Sequence, residues 1–142
     1  MNKELYLKTL MEKKSSHFNS EPITYINVVT KASAGTGVLN LDPESTRTVP
    51  VLGLIPNDYD LAIQVSGDSM EPLFQDEEVI FIKKTTEIHS GQIVVVMIDN
   101  EIFVKKAYPS KKNLRLVSLN DKYSDIYANE EHDIQIIGRV VL

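Results

Sequence analysis

The sequence predicts a mostly β fold, curled or barrel-like, preceded by a short N-terminal helix or arm. From Val38 onward, short apolar runs are separated by polar turns, the pattern of strands and hairpins. Leu61, Ile63 and Val65 alternate with Ala62, Gln64 and Ser66, which places one set on a better-buried strand face. A composition of 42% hydrophobic and 25% charged residues over 142 positions suits one globular domain plus an arm, with enough chain to bury a core.

Taken in order, residues 2 to 14 carry Leu7, Leu10 and Met11 at helical spacing and predict a short helix. Residues 15 to 22 are a polar linker ending in Pro22. Ile23 to Val29 has strand character and leads into the small-residue segment Ala32-Ser33-Ala34-Gly35-Thr36-Gly37. Such a segment offers a backbone that another site can approach closely, although its composition alone also suits a surface loop. Val79 to Ile82 follows the acidic turn Asp76-Glu77-Glu78, and Ile93 to Ile98 and Ile102 to Tyr108 flank Asp99-Asn100-Glu101 as a hairpin. Leu114 to Leu119 and Ile134 to Val141 bring the expected set to about seven or eight strands. Residues 120 to 133 are polar and predict a long loop. The expected organisation is an arm or linker over residues 1–37 and a folded body over 38–142.

Charge and composition exclude several functions. A net charge of −5 argues against this chain gripping a nucleic acid backbone by itself, because that needs a clustered basic footprint. With no cysteine there is no disulfide framework and no thiol nucleophile, which fits the cytoplasm. The N-terminus lacks the apolar core of a secretory signal, and the longest apolar runs are too short to cross a bilayer as helices, so no membrane partner is expected. No nucleotide-binding glycine loop, zinc spacing or calcium loop is present, so neither cofactor nor metal is expected.

The residues that point to chemistry are a serine on a turn and a lysine in a strand. Ser69 follows the strand ending near Val65 and precedes Met70-Glu71-Pro72, which places it on a sharp turn. Gly67 allows close approach there, and the backbone N–H groups of Asp68 and Ser69 are candidates to hold an oxyanion. A serine hydroxyl needs a base, and an uncharged lysine amine can serve if burial has lowered its pKa. Lys105 shares a strand face with Phe103 and Ala107, and Lys106 with Ile102 and Val104, so alternation does not decide which lysine is buried. His17, His89 and His132 all fall in predicted polar linkers or loops and suggest no alternative base. The Ala34-Gly35 peptide lies upstream of both segments, which suggests a protease carrying its own substrate.

As a set, Val65-Ser66-Gly67-Asp68-Ser69-Met70-Glu71-Pro72, Gly91-Gln92-Ile93-Val94, Asp99 to Lys106 and Leu116-Val117-Ser118-Leu119-Asn120 resemble the LexA-like self-cleaving peptidase family. The family includes SOS repressors, lambda-type phage repressors and UmuD-type polymerase subunits. The resemblance implies coiled β-sheets with an SH3-like barrel, Ser69 as nucleophile, Lys105 as general base and Ala34-Gly35 as the scissile bond. It also implies a homodimer, a RecA filament as co-protease, and operator DNA reached only through a helix-turn-helix domain missing from this chain. Pro50-Val51-Leu52-Gly53 and Pro56-Asn57-Asp58-Tyr59-Asp60 look most like phage-type repressors. Lys31-Ala32-Ser33 stands where family members often have Val-Ala-Ala before the scissile bond. A UmuD-like polymerase accessory subunit and a non-cleaving dimerisation module are the alternatives. The apolar richness of Ile134 to Val141 predicts an edge strand that pairs between two copies. A cut at Ala34-Gly35 is expected to uncouple the arm from that dimer.

Overall fold

The computed structural model describes residue 3, residues 22–30 and residues 46–142. The Ala34-Gly35 peptide, His17 and nearly all of the expected N-terminal helix lie outside the described residues. Among the described residues nine strands form one mixed sheet: β1 (Ile23–Val29), β2 (Thr46–Leu52), β3 (Leu61–Gln64), β4 (Val79–Lys84), β5 (Ile93–Ile98), β6 (Glu101–Pro109), β7 (Leu114–Val117), β8 (Ile126–Ala128) and β9 (Ile134–Val140). Their order across the sheet is β2-β1-β3-β4-β9-β5-β6-β7-β8. The β1–β3 pair is parallel and every other pair is antiparallel.

The mostly β class expected from alternation is the class observed. β5 shows how the sequence pattern produces the core. It lies between β9 and β6, and all six of its residues are buried. Ile93, Val95 and Met97 join Ile63, Met70 and Ile82 in one cluster, whereas Val94, Val96 and Ile98 join Ala107, Leu114 and Leu116 in a second. A strand with apolar packing on both faces needs the continuous run Ile-Val-Val-Val-Met-Ile rather than alternation. A third cluster, Ile26, Val28, Ala62 and Phe81, seats β1 on the sheet. The β5–β6 hairpin turns at Asp99 and Asn100, with φ of 49° and 68°, the left-handed conformation that asparagine and aspartate tolerate.

Four features differ from the sequence-based expectation. The folded body begins upstream of Val38, because β1 is paired along its whole length with β2 and is therefore part of the sheet. β2 contains Pro50, which lowers its strand signal; it is tolerated because β2 lies at the sheet edge, where a missing N–H breaks no second ladder. β8 is only three residues long and lies within the segment expected to be loop.

β9 is also not an edge. It is hydrogen-bonded to β4 on one side and to β5 on the other, with a register shift at Val95/Val96. Ile137 and Val140 enter the first cluster while Ile134 and Ile136 pack on the second, so its apolar surplus is used on two faces within one chain. Among the described strands the edges are β2 and β8.

Gly138 on β9 opposes Lys84 and Val95. A Cβ at this position would lie 2.2 Å from the Lys83 carbonyl oxygen and 2.9 Å from Ile82 Cγ2, so backbone must move to admit it. Gly138→Ala is expected to destabilise the chain by about 1–3 kcal/mol, read as a lower urea midpoint at unchanged slope.

Candidate active site

Ser69 sits in the turn that follows β3, between an open end and two buried anchors. Met70 and Phe74 are 1% and 2% exposed in the first core cluster, and the Phe74 N–H donates to the Met70 carbonyl at 3.0 Å. Upstream, Gly67 has φ of +87° and its N–H donates to Asp76 Oδ1 at 2.7 Å. A built Cβ at Gly67 meets nothing within 4 Å, so backbone conformation rather than crowding is what favours glycine there. The turn holds Ser69 partly exposed on a buried base.

The base candidate comes from another region of the chain. Lys105 lies mid-strand on β6, opposite Val94 of β5, and is 7% exposed. Its Nζ donates to Ser69 Oγ at 2.6 Å. Burial pushes the Lys105 pKa below the ordinary lysine value, because a charged amine loses hydration there. No carboxylate is hydrogen-bonded or ion-paired to Lys105 among the described residues, so nothing of that kind restores the charge. Lys106 points elsewhere, with its Nζ 5.8 Å from the Tyr108 ring centroid. The ambiguity between the two lysines is resolved by geometry.

A cleft of about 570 Å³ opens over this pair. Ile63 and Val65 line one part, Ile102 and Val104 another, and Val29 and Thr30 bring the end of β1 into the same cleft. Neither His89 nor His132 lines it; the His89 N–H is turned to Gln92, and His132 Nδ1 accepts from the Asn129 N–H. Among the described residues no group of three or more His, Cys, Asp or Glu is placed to hold a metal ion. No helix among them is long and apolar enough to cross a membrane.

The segment after β7 braces the serine turn. Asn120 Nδ2 donates to the Asp68 carbonyl at 3.0 Å, and the Asn120 N–H donates to the Ser69 carbonyl at 3.0 Å. The Tyr123 hydroxyl donates to Asp68 Oδ1, and Lys122 Nζ lies 2.9 Å from Asp68 Oδ2. These contacts, the tyrosine first, hold the Asp68 carboxyl below its usual range. The Ser69 N–H donates to no acceptor among the described residues.

Residues 27–141 match the family model described as Peptidase S24-like. The chain belongs to the Peptidase S24-like family. Among its relatives, the LexA repressor of Clostridium novyi (strain NT) is 33% identical over 118 residues, covering 81% of this chain and 57% of the relative. The LexA repressor of Desulfitobacterium hafniense (strain Y51) is 30% identical over 129 residues, covering 89% of this chain and 61% of the relative. The LexA repressor of Xylella fastidiosa (strain 9a5c) is 41% identical over 81 residues, covering 56% of this chain and 38% of the relative. This S24-like chain thus spans about three-fifths of the first two relatives. These matches bear out the LexA-like family expected from the motifs.

The sequence reading of this S24-like chain identified Ser69 and Lys105, and the structure brings them together. It did not single out Asn120, Lys122 or Tyr123 as site residues, because they sit in what reads as a polar loop more than fifty positions from Asp68. The available signal was Asn120 at the end of the Leu116-Val117-Ser118-Leu119-Asn120 motif.

The buried amine makes stability depend on pH. Lys105 has a folded-state pKa below its unfolded value, so between the two the unfolded chain binds a proton that the folded chain does not. The Lys105 contribution to stability therefore rises as pH rises through that window and is least favourable below it. Lys105→Met is expected to remove this rise, seen as a flatter pH dependence of the urea midpoint than in wild type between neutral and alkaline pH. Identical slopes in the two proteins would show that Lys105 titrates as an exposed lysine does.

Proposed function

We propose that this chain is the self-cleaving and dimerisation portion of a transcriptional repressor, and that it cuts its own Ala34-Gly35 bond with Ser69 and Lys105. The observation that carries the reading is the 2.6 Å contact between Lys105 Nζ and Ser69 Oγ, made by a lysine whose charge is disfavoured by burial. Once neutral, the amine accepts the hydroxyl proton while Oγ attacks the Ala34 carbonyl carbon. The backbone N–H groups of Asp68 and Ser69 are the candidate donors to the developing oxyanion. Collapse of the tetrahedral intermediate breaks the bond to the Gly35 nitrogen, which takes its proton from the Lys105 ammonium. Water, deprotonated by the same amine, then hydrolyses the ester and regenerates Ser69.

Delivery of the bond in cis is supported by the position of β1. Thr30 lines the cleft, and four residues of extended chain from it to Ala34 reach at most roughly 14 Å. So short a tether favours delivery within one chain. The small side chains of Ala34 and Gly35 suit an extended backbone entering a narrow cleft.

The repressor assignment is supported by the LexA repressors that match 81% and 89% of this chain, and their similarity favours it over a polymerase accessory subunit. Its finer parts are the phage-like type, a role in the SOS response with a RecA filament as co-protease, a homodimer, and operator binding through a helix-turn-helix domain outside this chain. The stretch of chain between β1 and β2 carries the proposed cleavage segment.

Mass spectrometry after alkaline incubation tests the chemistry. Wild type should yield pieces 1–34 and 35–142, Ser69→Ala and Lys105→Ala should stay intact, and Lys106→Ala should cut at close to the wild-type rate. A dead Lys106 variant beside an active Lys105 variant would overturn the assignment. The rate should rise about tenfold per pH unit below the Lys105 pKa and level off above it, since the neutral amine is the reactive form. A rate independent of pH would exclude Lys105 as the base.

A further inference from the structure

β1 lies upstream of the proposed cut, yet it is built into the sheet. All its residues pair with β2, from Ile23 opposite Leu52 to Val29 opposite Thr46, and Val28 and Val29 also pair in parallel with Ala62 and Ile63 of β3. Ile26, Val28 and Val29 are 8%, 0% and 3% exposed. β2 is the outermost strand on this side, and β1 is the neighbour that joins it to β3. Taking β1 away would leave β2 without its ladder, open the edge of β3 and uncover Ala62 and Phe81. Unpaired backbone groups and newly wetted apolar surface both oppose that step.

A second contact lies on the same side of the cut. Lys3 Nζ meets Glu78 Oε2 at 2.9 Å and lies 5.8 Å from the Phe74 ring centroid, in a groove that includes Pro56, Val79, Phe81 and Val141. The upstream segment therefore touches the body at two separated places. Breaking one peptide bond beyond Thr30 removes neither.

We infer that scission between β1 and β2 leaves the N-terminal piece bound as a strand in the slot between β2 and β3, so that cutting and separation are two distinct events. The position of the natural cut rests on the reading of Ala34-Gly35 given above, whereas retention rests on the β1 pairing alone. The slot's occupant is a strand of this chain's own sequence, recognised by main-chain hydrogen bonds along β2 and β3 and by pockets for Ile26 and Val28. Because β1 also supplies Val29 and Thr30 to the cleft, the cut form keeps that wall of the cleft in place. A domain attached upstream of β1 would then stay with the body after the cut, and the dissociation rate of β1 would set when the two part.

The test separates retention from self-cleavage. A Ser69→Ala chain with residues 36–41 replaced by the recognition sequence of an added, sequence-specific protease is cut to completion and run on gel filtration at micromolar concentration. Both pieces should co-elute at the volume of the uncut chain and part only in denaturant; two separate native peaks would overturn the inference. Val28→Ala in the same background should speed release of the piece by about tenfold or more, and an unchanged release rate would show that the β1 slot is not what holds it. Since the added protease makes the cut, failure of wild type to cleave itself would leave this result standing.

Discussion

Withdrawing a lysine amine from water while keeping it 2.6 Å from a serine hydroxyl is the constraint on which the rest of this structure depends. Hydration of an ammonium is lost on burial, so the site exists only where other interactions hold the lysine in place. β6 supplies that hold by pairing with β5 throughout the Lys105 region, and β5 in turn is packed on both faces. The amine stays buried because its strand is paired on both sides and has no freedom to carry it outward. The consequence is a lysine whose neutral form is reached at a lower pH than that of an exposed one.

The serine is held by a different set of forces. Its turn is anchored below by Met70 and Phe74 and braced from the side by Asn120, Lys122 and Tyr123. Donors from Asn120 engage both the Asp68 and the Ser69 carbonyls, which ties the turn to the segment after β7. A turn of glycine, aspartate and serine has many accessible conformations by itself, and the bracing selects one of them. Dry lysine and fixed serine then meet at the boundary between two core clusters, since Met70 belongs to the first and the Phe103 and Ala107 neighbours of Lys105 pack in the second. β1 completes the arrangement by lining the cleft and closing the third cluster, so one strand links the route of the proposed substrate to the stability of the body.

Much of the fold was legible where the side-chain pattern had a single cause. Leu61 to Gln64, Val79 to Lys84 and the Ile93–Pro109 hairpin combine apolar runs with turn residues, and each is a strand or hairpin as read. β2 was not legible because Pro50 and the charged or hydroxyl residues around it describe an edge strand no better than a loop. β8 was too short for periodicity to register. The apolar residues of β9 were legible, but their meaning was not: the same surplus fits a strand exposed for a partner and a strand buried between β4 and β5.

By itself, the sequence determined the β class and the serine turn, because turn chemistry and strand alternation are local properties; alternation left two lysines open as the base, and the resemblance of the motifs named Lys105. It also determined the family, since ordered motifs survive in the linear chain whatever their spatial relation. Only the tertiary structure decided how Lys105 is buried and brought within 2.6 Å of Ser69, that Asn120 and Tyr123 brace a turn more than fifty residues away, and that β1 is woven into the body it was expected to precede. Those outcomes depend on which strands become neighbours. Strand order is set by how the whole chain satisfies its backbone hydrogen bonds and buries its apolar faces together, and no short segment encodes that choice.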